Sequence, residues 1–555
     1  MGSSLGYFLL LNLVAPLQGT PTPQLKQPAK RNIDSSSSSS SSLSIVLPRS
    51  NDGDVIDRDF PGFGFEEASF VHYVQDSDGN TNEFSANLIE AITSRTGGKP
   101  IVRLGGTSAD YAKYVANQTE PALPLALDYE DDSVGGTTIG PSFWALASLF
   151  PTAQYMVQVP LATTDINETI TWVQTALDII GEDQIYSFEL GNEPDWYSET
   201  YTGADGIGLG PPDWQGSFTN ETYVGNYSEY VQAIVETVPG LPNNGKVFQA
   251  FDAAARIAAY SAVLCYQLDV GKCFDLGIDD GGYITTVAHH YYQNAGGGAD
   301  YLAAGLMDMA WTHWRMDFFK CQLSWLKANR PDLPFVLSEV GNSLMSTHMP
   351  EYQARLGSAL WQVDFYLYAM ELGVARVNYQ QMFADTYQPI MWLPVEYLGV
   401  APHVTPNFYS QPFIADFIGD SGTTTMTQLN ISSTDEVANV SAYAAFEDGS
   451  PKRVAVVNLN YWNQTSSGTD RPSVSIDLSI PSELGVTTVT VDYLSSPIGA
   501  GADADTVTYA GSQWTYESLG VEVTGVRNDT ETISVVDNVA TITLNSSSAA
   551  LISLS

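Results

Sequence analysis

Short apolar runs recur along the first two-thirds of the chain at intervals too long for hairpins, and this spacing constrains the fold most. The runs are Ile101–Leu104, Tyr155–Val159, Ile185–Leu190, Val247–Phe251, Thr286–His290, Phe335–Leu337 and Val374–Asn378, with a further one near Gly62–Phe65. Helix-like stretches lie between several of them, at Asn87–Thr96, Ile170–Ile180 and Tyr227–Val238. Phe318–Ala328 also places apolar residues at helical spacing. Strands that alternate with helices make a parallel sheet. Eight such strands predict an α/β chain built on a (β/α)8 TIM barrel, whose chemistry sits at the C-terminal ends of the strands.

Beyond about residue 400 the pattern changes. Val454–Leu459, Val474–Leu478, Thr487–Val491, Ile533–Val536, Ala540–Leu544 and Ala549–Leu554 are strand-like runs separated by Ser, Thr, Gly and Asp. They predict a C-terminal antiparallel β-sandwich. The expected organisation is a barrel over 60–400 and a sandwich over 401–555. The segment 43–59 supplies a strand, Leu43–Leu47, to the sandwich. The 555 residues are 44% apolar and 11% aromatic, ample for two large cores.

The N-terminus reads as an address. Leu5–Leu17 is an apolar run too short to span a bilayer comfortably. It is expected to be a signal peptide over 1–19. A Pro/Ser-rich linker over 20–42 follows, ending in eight consecutive serines, Ser35–Ser42. Asn-x-Ser/Thr acceptors at Asn117, Asn167, Asn220, Asn226, Asn430, Asn439, Asn463, Asn528 and Asn545 add to the expectation of a secreted, extracellular glycoprotein. Three cysteines are too few for a disulfide scaffold, although Cys265 and Cys273 are close enough for a local bridge that would leave Cys321 free.

Charge excludes one class of partner. Lys and Arg number 22 against 63 Asp and Glu, a formal net charge of -41. Nucleic acid and highly sulfated glycans need clustered cations to displace their counterions, and this chain has few. No Cys-x-x-Cys pair, phosphate-cradling Gly loop, His-x-x-x-His or EF-hand spacing is present, so neither metal nor organic cofactor is expected.

Two strand ends carry the chemistry. In IYSFELGNEPDWY, residues 185–197, an apolar strand ends at Gly191 and is followed by Asn192, Glu193 and Pro194. Strand alternation would send Asn192 and Glu193 to opposite faces, so both line one pocket only if the backbone is irregular there. In PFVLSEVGNS, residues 334–343, Glu339 ends another apolar strand. A single strand-end glutamate more often caps a helix or pairs with a surface cation. Two of them, opening onto one barrel face, suit glycoside hydrolysis, where one carboxyl protonates the leaving oxygen and the other attacks or activates water. In VAHHYYQN, residues 287–294, the adjacent His289 and His290 face opposite ways and make a poor chelating pair. A tyrosine here could donate to a catalytic carboxylate and lower its pKa.

GNEPD after a strand, HHYYQN, and RLGGTSAD at 103–110 resemble glycoside hydrolase family 79, which includes β-glucuronidases and heparanase within the retaining clan A of (β/α)8 barrels. The resemblance implies a general acid/base in Glu193, on strand four, and a nucleophile in Glu339, on strand seven. It also implies sugar contacts from Asn192 and Thr107, a nucleophile-bound tyrosine in Tyr291 with His289 beside it, and a strand-eight glutamine in Gln380 or Gln381. Within VNYQQMFADTYQPI, Tyr387 matches the tyrosine that binds the glucuronate carboxylate. Asp385 and Thr386 depart from the pattern, because the family often has Gly just before that tyrosine.

The implied enzyme is a monomeric exo-β-glucuronidase acting by double displacement on glycans ending in β-linked glucuronate or 4-O-methylglucuronate. No membrane association is expected after leader cleavage. The competing readings are another clan A glycosidase acting on a neutral sugar (β-xylosidase, β-glucosidase or arabinofuranosidase) and a non-catalytic carbohydrate-binding cell-wall protein.

Overall fold

The structure is a computed structural model that describes residues 41–555 apart from 111, 124–136, 162–164, 198–218, 255–265, 267, 295–301, 344–352, 382–389, 398, 434–438 and 469. The expected leader and nearly all of the linker, together with Tyr387, Asp385, Thr386 and Cys265, lie outside the described residues.

Eight parallel strands close into a barrel in sequence order: β1 (Pro61–Phe65), β2 (Ile101–Leu104), β3 (Gln154–Val159), β4 (Ile185–Leu190), β5 (Phe248–Ala253), β6 (Ile284–Asn294), β7 (Phe335–Ser343) and β8 (Arg376–Gln381). Closure is by β8 beside β1, with Val377 opposite Pro61 and Gln381 opposite Phe65. Strands covered by helices outside and filled by side chains inside are buried on both faces, which is why their sequences read as continuous apolar runs. β2 and β7 are buried along their whole length.

The helical layer follows ordinary capping chemistry. α1 (Glu67–Val74) begins at Glu66, whose side chain accepts from Ser69 N. α2 (Glu83–Thr96) starts at Asn82, which caps Ser85 N, and stops at Gly97 with φ 66°. α3 (Ile166–Ile180) starts at Asp165, and α4 (Asn220–Thr237) starts at Thr219. α5 (Val270–Asp275) follows β5. The helix expected at Phe318–Ala328 is longer and broken. It comprises α6 (Met309–Met316), a tight turn at Asp317–Phe319, and α7 (Lys320–Asn329). α8 (Leu356–Leu372) is buried on every side from Leu356 to Met370, because it packs between the barrel and the C-terminal sheets.

The C-terminal part is two facing sheets. The smaller runs Ile431–Ser433, Ser41–Val46, Ser473–Ser479, Val539–Asn545; the larger includes Val440–Glu447, Ser450–Asn458, Ser548–Leu554 and Thr488–Ser495. The pairs are antiparallel except that Ser41–Val46 lies parallel to Ser473–Ser479. Leu43, Ile45, Phe446, Val456, Ile476, Ile542 and Ile552 fill the space between the sheets. The helix Ser410–Ile418 packs on α2 and α8.

The cysteines do not pair as their spacing allowed. Cys273 is a free thiol, buried in α5, that donates to Asn220 Oδ1 at 3.2 Å. It forms no bridge to Cys265, because α5 turns it against α4. Cys321, which that bridge would have left free, is disulfide-bonded.

Candidate active site

The C-terminal end of the barrel is organised around one buried cation. Arg103, in β2, points into the barrel with no exposed surface. Its Nε and Nη2 donate to the two oxygens of Glu189 on β4, at 2.9 and 2.5 Å. Nη2 also donates to Asn192 Oδ1 at 2.8 Å, and Nη1 donates to Glu339 Oε2. A planar fork of N–H groups can hold three partners at fixed angles in this way. Arg103 therefore locks Asn192 and Glu339 relative to each other across the barrel.

The tip of β4 explains the Gly-Asn-Glu-Pro sequence. Gly191 has φ 82°, and a Cβ there would lie 2.8 Å from Leu161 Cβ and 3.0 Å from Tyr197 Oη, so only glycine fits. Glu193 itself sits at φ 47°, ψ 51°, a left-handed conformation unusual outside glycine. Pro194 then starts a short helical turn, Pro194–Trp196. These kinks let Asn192 and Glu193 serve the same pocket. Asp110, after β2, secures the loop by accepting from Tyr197 Oη at 2.8 Å, Asn192 N at 3.2 Å and Gln158 Nε2 at 3.1 Å.

β6 and β7 meet out of phase. His289 lies opposite Leu337 but His290 lies opposite Glu339, so Ser338 is an extra residue in β7. Phe335 contacts His289 and Phe319 on the helical side of the sheet. Strict alternation from Phe335 would leave Glu339 on that same side. The extra residue reverses the phase and brings Glu339 inward. There it accepts from Tyr292 Oη at 2.6 Å, and His290 Nδ1 lies 3.9 Å from its Oε2. The same imidazole nitrogen shares a 3.0 Å hydrogen bond with Glu193 Oε1.

The two glutamates are held in opposite states. Burial pushes the Glu193 carboxyl well above the ordinary carboxylate range, and the negative charge of Glu339 adds to the shift. Burial would raise Glu339 too, but the Arg103 charge, His290 and the Tyr292 hydrogen bond outweigh it and hold it below its usual value. Burial pushes His290 down to about 4, against the opposing pull of Glu339, so its ring is neutral near pH 7. One guanidinium serves Glu189 and Glu339, and Glu193 is left to keep its proton. A donor oxygen of Glu193, one of Glu339 and a nitrogen of His290 all lie within 4.8 Å of one another. Within this small space one carboxyl favours its proton and the other its charge.

Residues 442–551 match the model of the glycosyl hydrolase family 79 C-terminal beta domain. A β-glucuronidase of Neurospora crassa is 27% identical over 457 residues, covering 76% of this chain and 78% of that protein. A β-glucuronidase of Aspergillus niger is 26% identical over 521 residues, covering 89% and 90%. A crystal structure of a 4-O-α-L-rhamnosyl-β-D-glucuronidase from Fusarium oxysporum superposes with a TM-score of 0.72 at 18% identity, over 92% of this chain and 100% of that one. These similarities are all consistent with glycoside hydrolase family 79.

Placed in this glycosidase, the residues singled out from sequence divide into three groups. Glu193, Glu339 and Asn192 come together as described. Gln380 points into the barrel, where its Nε2 donates to Gly105 O at 3.0 Å, while Gln381 faces outward and accepts from Met391 N at 2.8 Å. Thr107 opens a short turn, Thr107–Asp110, just past β2, and is half-buried.

His289 and Tyr291 are not where the resemblance implied. His289 is stacked among Phe251, Tyr266 and Phe335 on the helical side of β6, with neither ring nitrogen hydrogen-bonded. The Tyr291 hydroxyl donates to Gln293 Oε1, and its ring stacks on Phe365 under Arg315. The reason is parity. Side chains alternate along β6, and the residue opposite Glu339 is His290, so His290 and Tyr292 face the site while His289 and Tyr291 face the helices.

The residues missed in the sequence are Arg103, Glu189, His290, Tyr292, Asp110 and Asp252. Arg103 and Asp110 bound the RLGGTSAD motif, and a basic residue inside an otherwise apolar strand was the available signal. Two trios, Glu193–His290–Glu339 and Glu189–Asp252–His290, have donor atoms close enough for a metal ion. In both trios a carboxylate is already bonded to Arg103, and Glu189 uses both its oxygens there, so a guanidinium occupies the cationic role.

Proposed function

We propose that this glycosidase is a secreted, retaining exo-β-glucuronidase that releases terminal β-linked glucuronate, or its 4-O-methyl form, from glycans. The observation that carries the mechanism is the close pair Glu193 and Glu339, within 4.8 Å through donor oxygens and electrostatically opposite. Retaining enzymes hold their two carboxyl groups about 5–5.5 Å apart, whereas inverting ones leave about 6.5–9.5 Å for a water molecule. The substrate reading is supported by the likeness to the β-glucuronidases of Neurospora crassa and Aspergillus niger.

In the first step Glu193 donates its proton to the glycosidic oxygen while ionised Glu339 attacks the anomeric carbon. The aglycone leaves protonated, and the sugar is esterified to Glu339. The negative charge that raised Glu193 is then gone, so Glu193 becomes a usable base. It takes a proton from water, which attacks the anomeric carbon and frees Glu339. Asn192, fixed by Arg103, presents its amide to the sugar's 2-hydroxyl. Tyr292 and Arg103 keep Glu339 ionised, and His290 orients Glu193. Tyr387 is the proposed partner of the uronate carboxylate.

One observation favours a neutral sugar instead. Arg103 is committed to Glu189 and Glu339, and around the same end of the barrel Glu66 and Glu67 are buried and Asp110 is half-buried. An anionic sugar must find its donors elsewhere, in hydroxyls and backbone N–H groups.

The test is turnover of p-nitrophenyl β-glucuronide beside the matching glucoside, xyloside and arabinofuranoside, with NMR of the first-formed anomer. Glucuronide turnover giving the β-anomer, lost in Glu339→Gln, supports the full reading. Turnover of a neutral glycoside alone removes the role of Tyr387 and keeps the carboxylates. Silence on all four glycosides, with binding of the glycan retained, supports a binding protein.

A further inference from the structure

The tip of β5 carries an acid that the reaction above does not use. Phe251 and Asp252 both stand at positive φ, 84° and 42°, and both are buried. Such sparsely populated conformations persist where their surroundings fix them. Phe251 lies opposite Ala288 and Ala253 opposite His289, so Asp252 is the extra residue of a bulge. β7 carries its own extra residue, Ser338, beside Glu339.

The two extra residues are bonded to each other. Ser338 Oγ donates to Asp252 Oδ1 at 2.8 Å, and Gln249 Nε2 donates to the same oxygen at 2.5 Å. The backbone carbonyl of Asp252 accepts the N–H of Glu193 at 2.9 Å. One residue thus grips the backbone of the acid/base and the neighbour of the nucleophile. Its second oxygen, Oδ2, is buried with no hydrogen-bond partner. An oxygen of Asp252 lies within 4.8 Å of one from Glu189 and of a nitrogen of His290. Burial, and then the charge of Glu189, push the Asp252 carboxyl well above its ordinary range.

We propose that Asp252 is a positioning residue that couples the two glutamates, fixing the strained tip of β5 so that Glu193 and Glu339 share one frame. The proposal rests on the roles given to Glu193 and Glu339 above. Asn is its closest mimic, since it tolerates positive φ, matches the carboxyl in shape and keeps the Oδ1 acceptor that Ser338 and Gln249 bond.

The experiment compares Asp252→Asn, Asp252→Ala and Ser338→Ala on whichever aryl glycoside the wild type turns over. Asp252→Ala should lower kcat roughly a hundredfold, the effect of displacing a catalytic group by about an ångström, with KM little changed. Asp252→Asn should recover most of that loss, and Ser338→Ala should fall between. Hydrogen exchange at the Glu193 amide gives a readout that needs no substrate. It should quicken in Asp252→Ala while amides of the sandwich stay protected. Asp252→Asn as damaged as Asp252→Ala, a loss appearing in KM instead of kcat, or unchanged exchange at Glu193 would each overturn the proposal. Failure of the glucuronidase reading shows in the wild type alone; failure of the coupling shows only in the variants.

Discussion

The sandwich and the barrel mouth bury their side chains by different rules. Ser473–Ser479 alternates half-buried and fully buried residues without a break, and Val539–Asn545 alternates as regularly. What faces inward there is aliphatic. At the C-terminal end of the barrel the interior holds Arg103, Glu189, Asp252 and Glu339, and alternation fails at Glu193, Asp252 and Ser338. Where burial is the sole requirement the pleat is obeyed. Where a side chain must point at a reacting bond, the backbone is bent to deliver it, and neighbours must hold the bend.

The largest test of that contrast is chemical. Glu339→Gln and Glu193→Gln should each cost on the order of 10⁴-fold or more in turnover, while thermal unfolding of the sandwich stays as in the wild type. Loss of folding in both variants would mean that the pair is structural. Arg103→Leu should damage activity and stability together. It leaves Glu189 and Glu339 buried without a cation, a loss of roughly 3–5 kcal/mol in denaturant unfolding. In the sandwich, Ile542→Ala should lose roughly 2–5 kcal/mol through its cavity. Activity per folded molecule should be unchanged, and a drop there would show the two regions to be coupled.

pH sharpens the comparison further. Glu339 must be ionised and its pKa is lowered, so activity falls on the acid side. Glu193 must carry its proton and its pKa is raised, so activity falls on the basic side; the profile should be a bell. A flat profile from pH 4 to about 9 would contradict both assignments. Stability has its own signature. Burial, and then the charge of Glu66, raise Glu67, so the folded barrel binds that proton more tightly than the unfolded chain does. Stability from this group is full below the ordinary carboxylate range and declines as pH rises toward the raised value. Glu67→Gln should flatten that decline in melting temperature while keeping the bond from Ser108.

The smallest expected effect separates the two faces of one strand. Tyr292→Phe removes a hydrogen bond that favours ionised Glu339, and should move the acid limb to higher pH by about one unit. Tyr291→Phe, on the helical face, should leave that limb in place. A shift in Tyr291→Phe alone would reverse the parity assigned to β6.

Much of this was legible in the chain. Eight apolar runs at helix-spanning intervals fit a parallel barrel, and the short strand-like runs near the C-terminus, without helical periodicity, fit facing sheets. Glu193 and Glu339 were readable because each follows an apolar run, and strand ends in such a barrel open on one face. The acidic composition shows nothing of Arg103, since a net count cannot tell which cations are buried. His289 and Tyr291 were misplaced because the phase of β6 is set by its register against β7, which includes an extra residue at Ser338. The local bridge that the spacing of Cys265 and Cys273 allowed is not made, for a similar reason: nearness in sequence does not fix the direction of a side chain. Local pattern determined the elements and the residue types at their ends. Which of two neighbouring residues faces the reaction was decided by strand pairing, and pairing is a property of segments far apart in the chain.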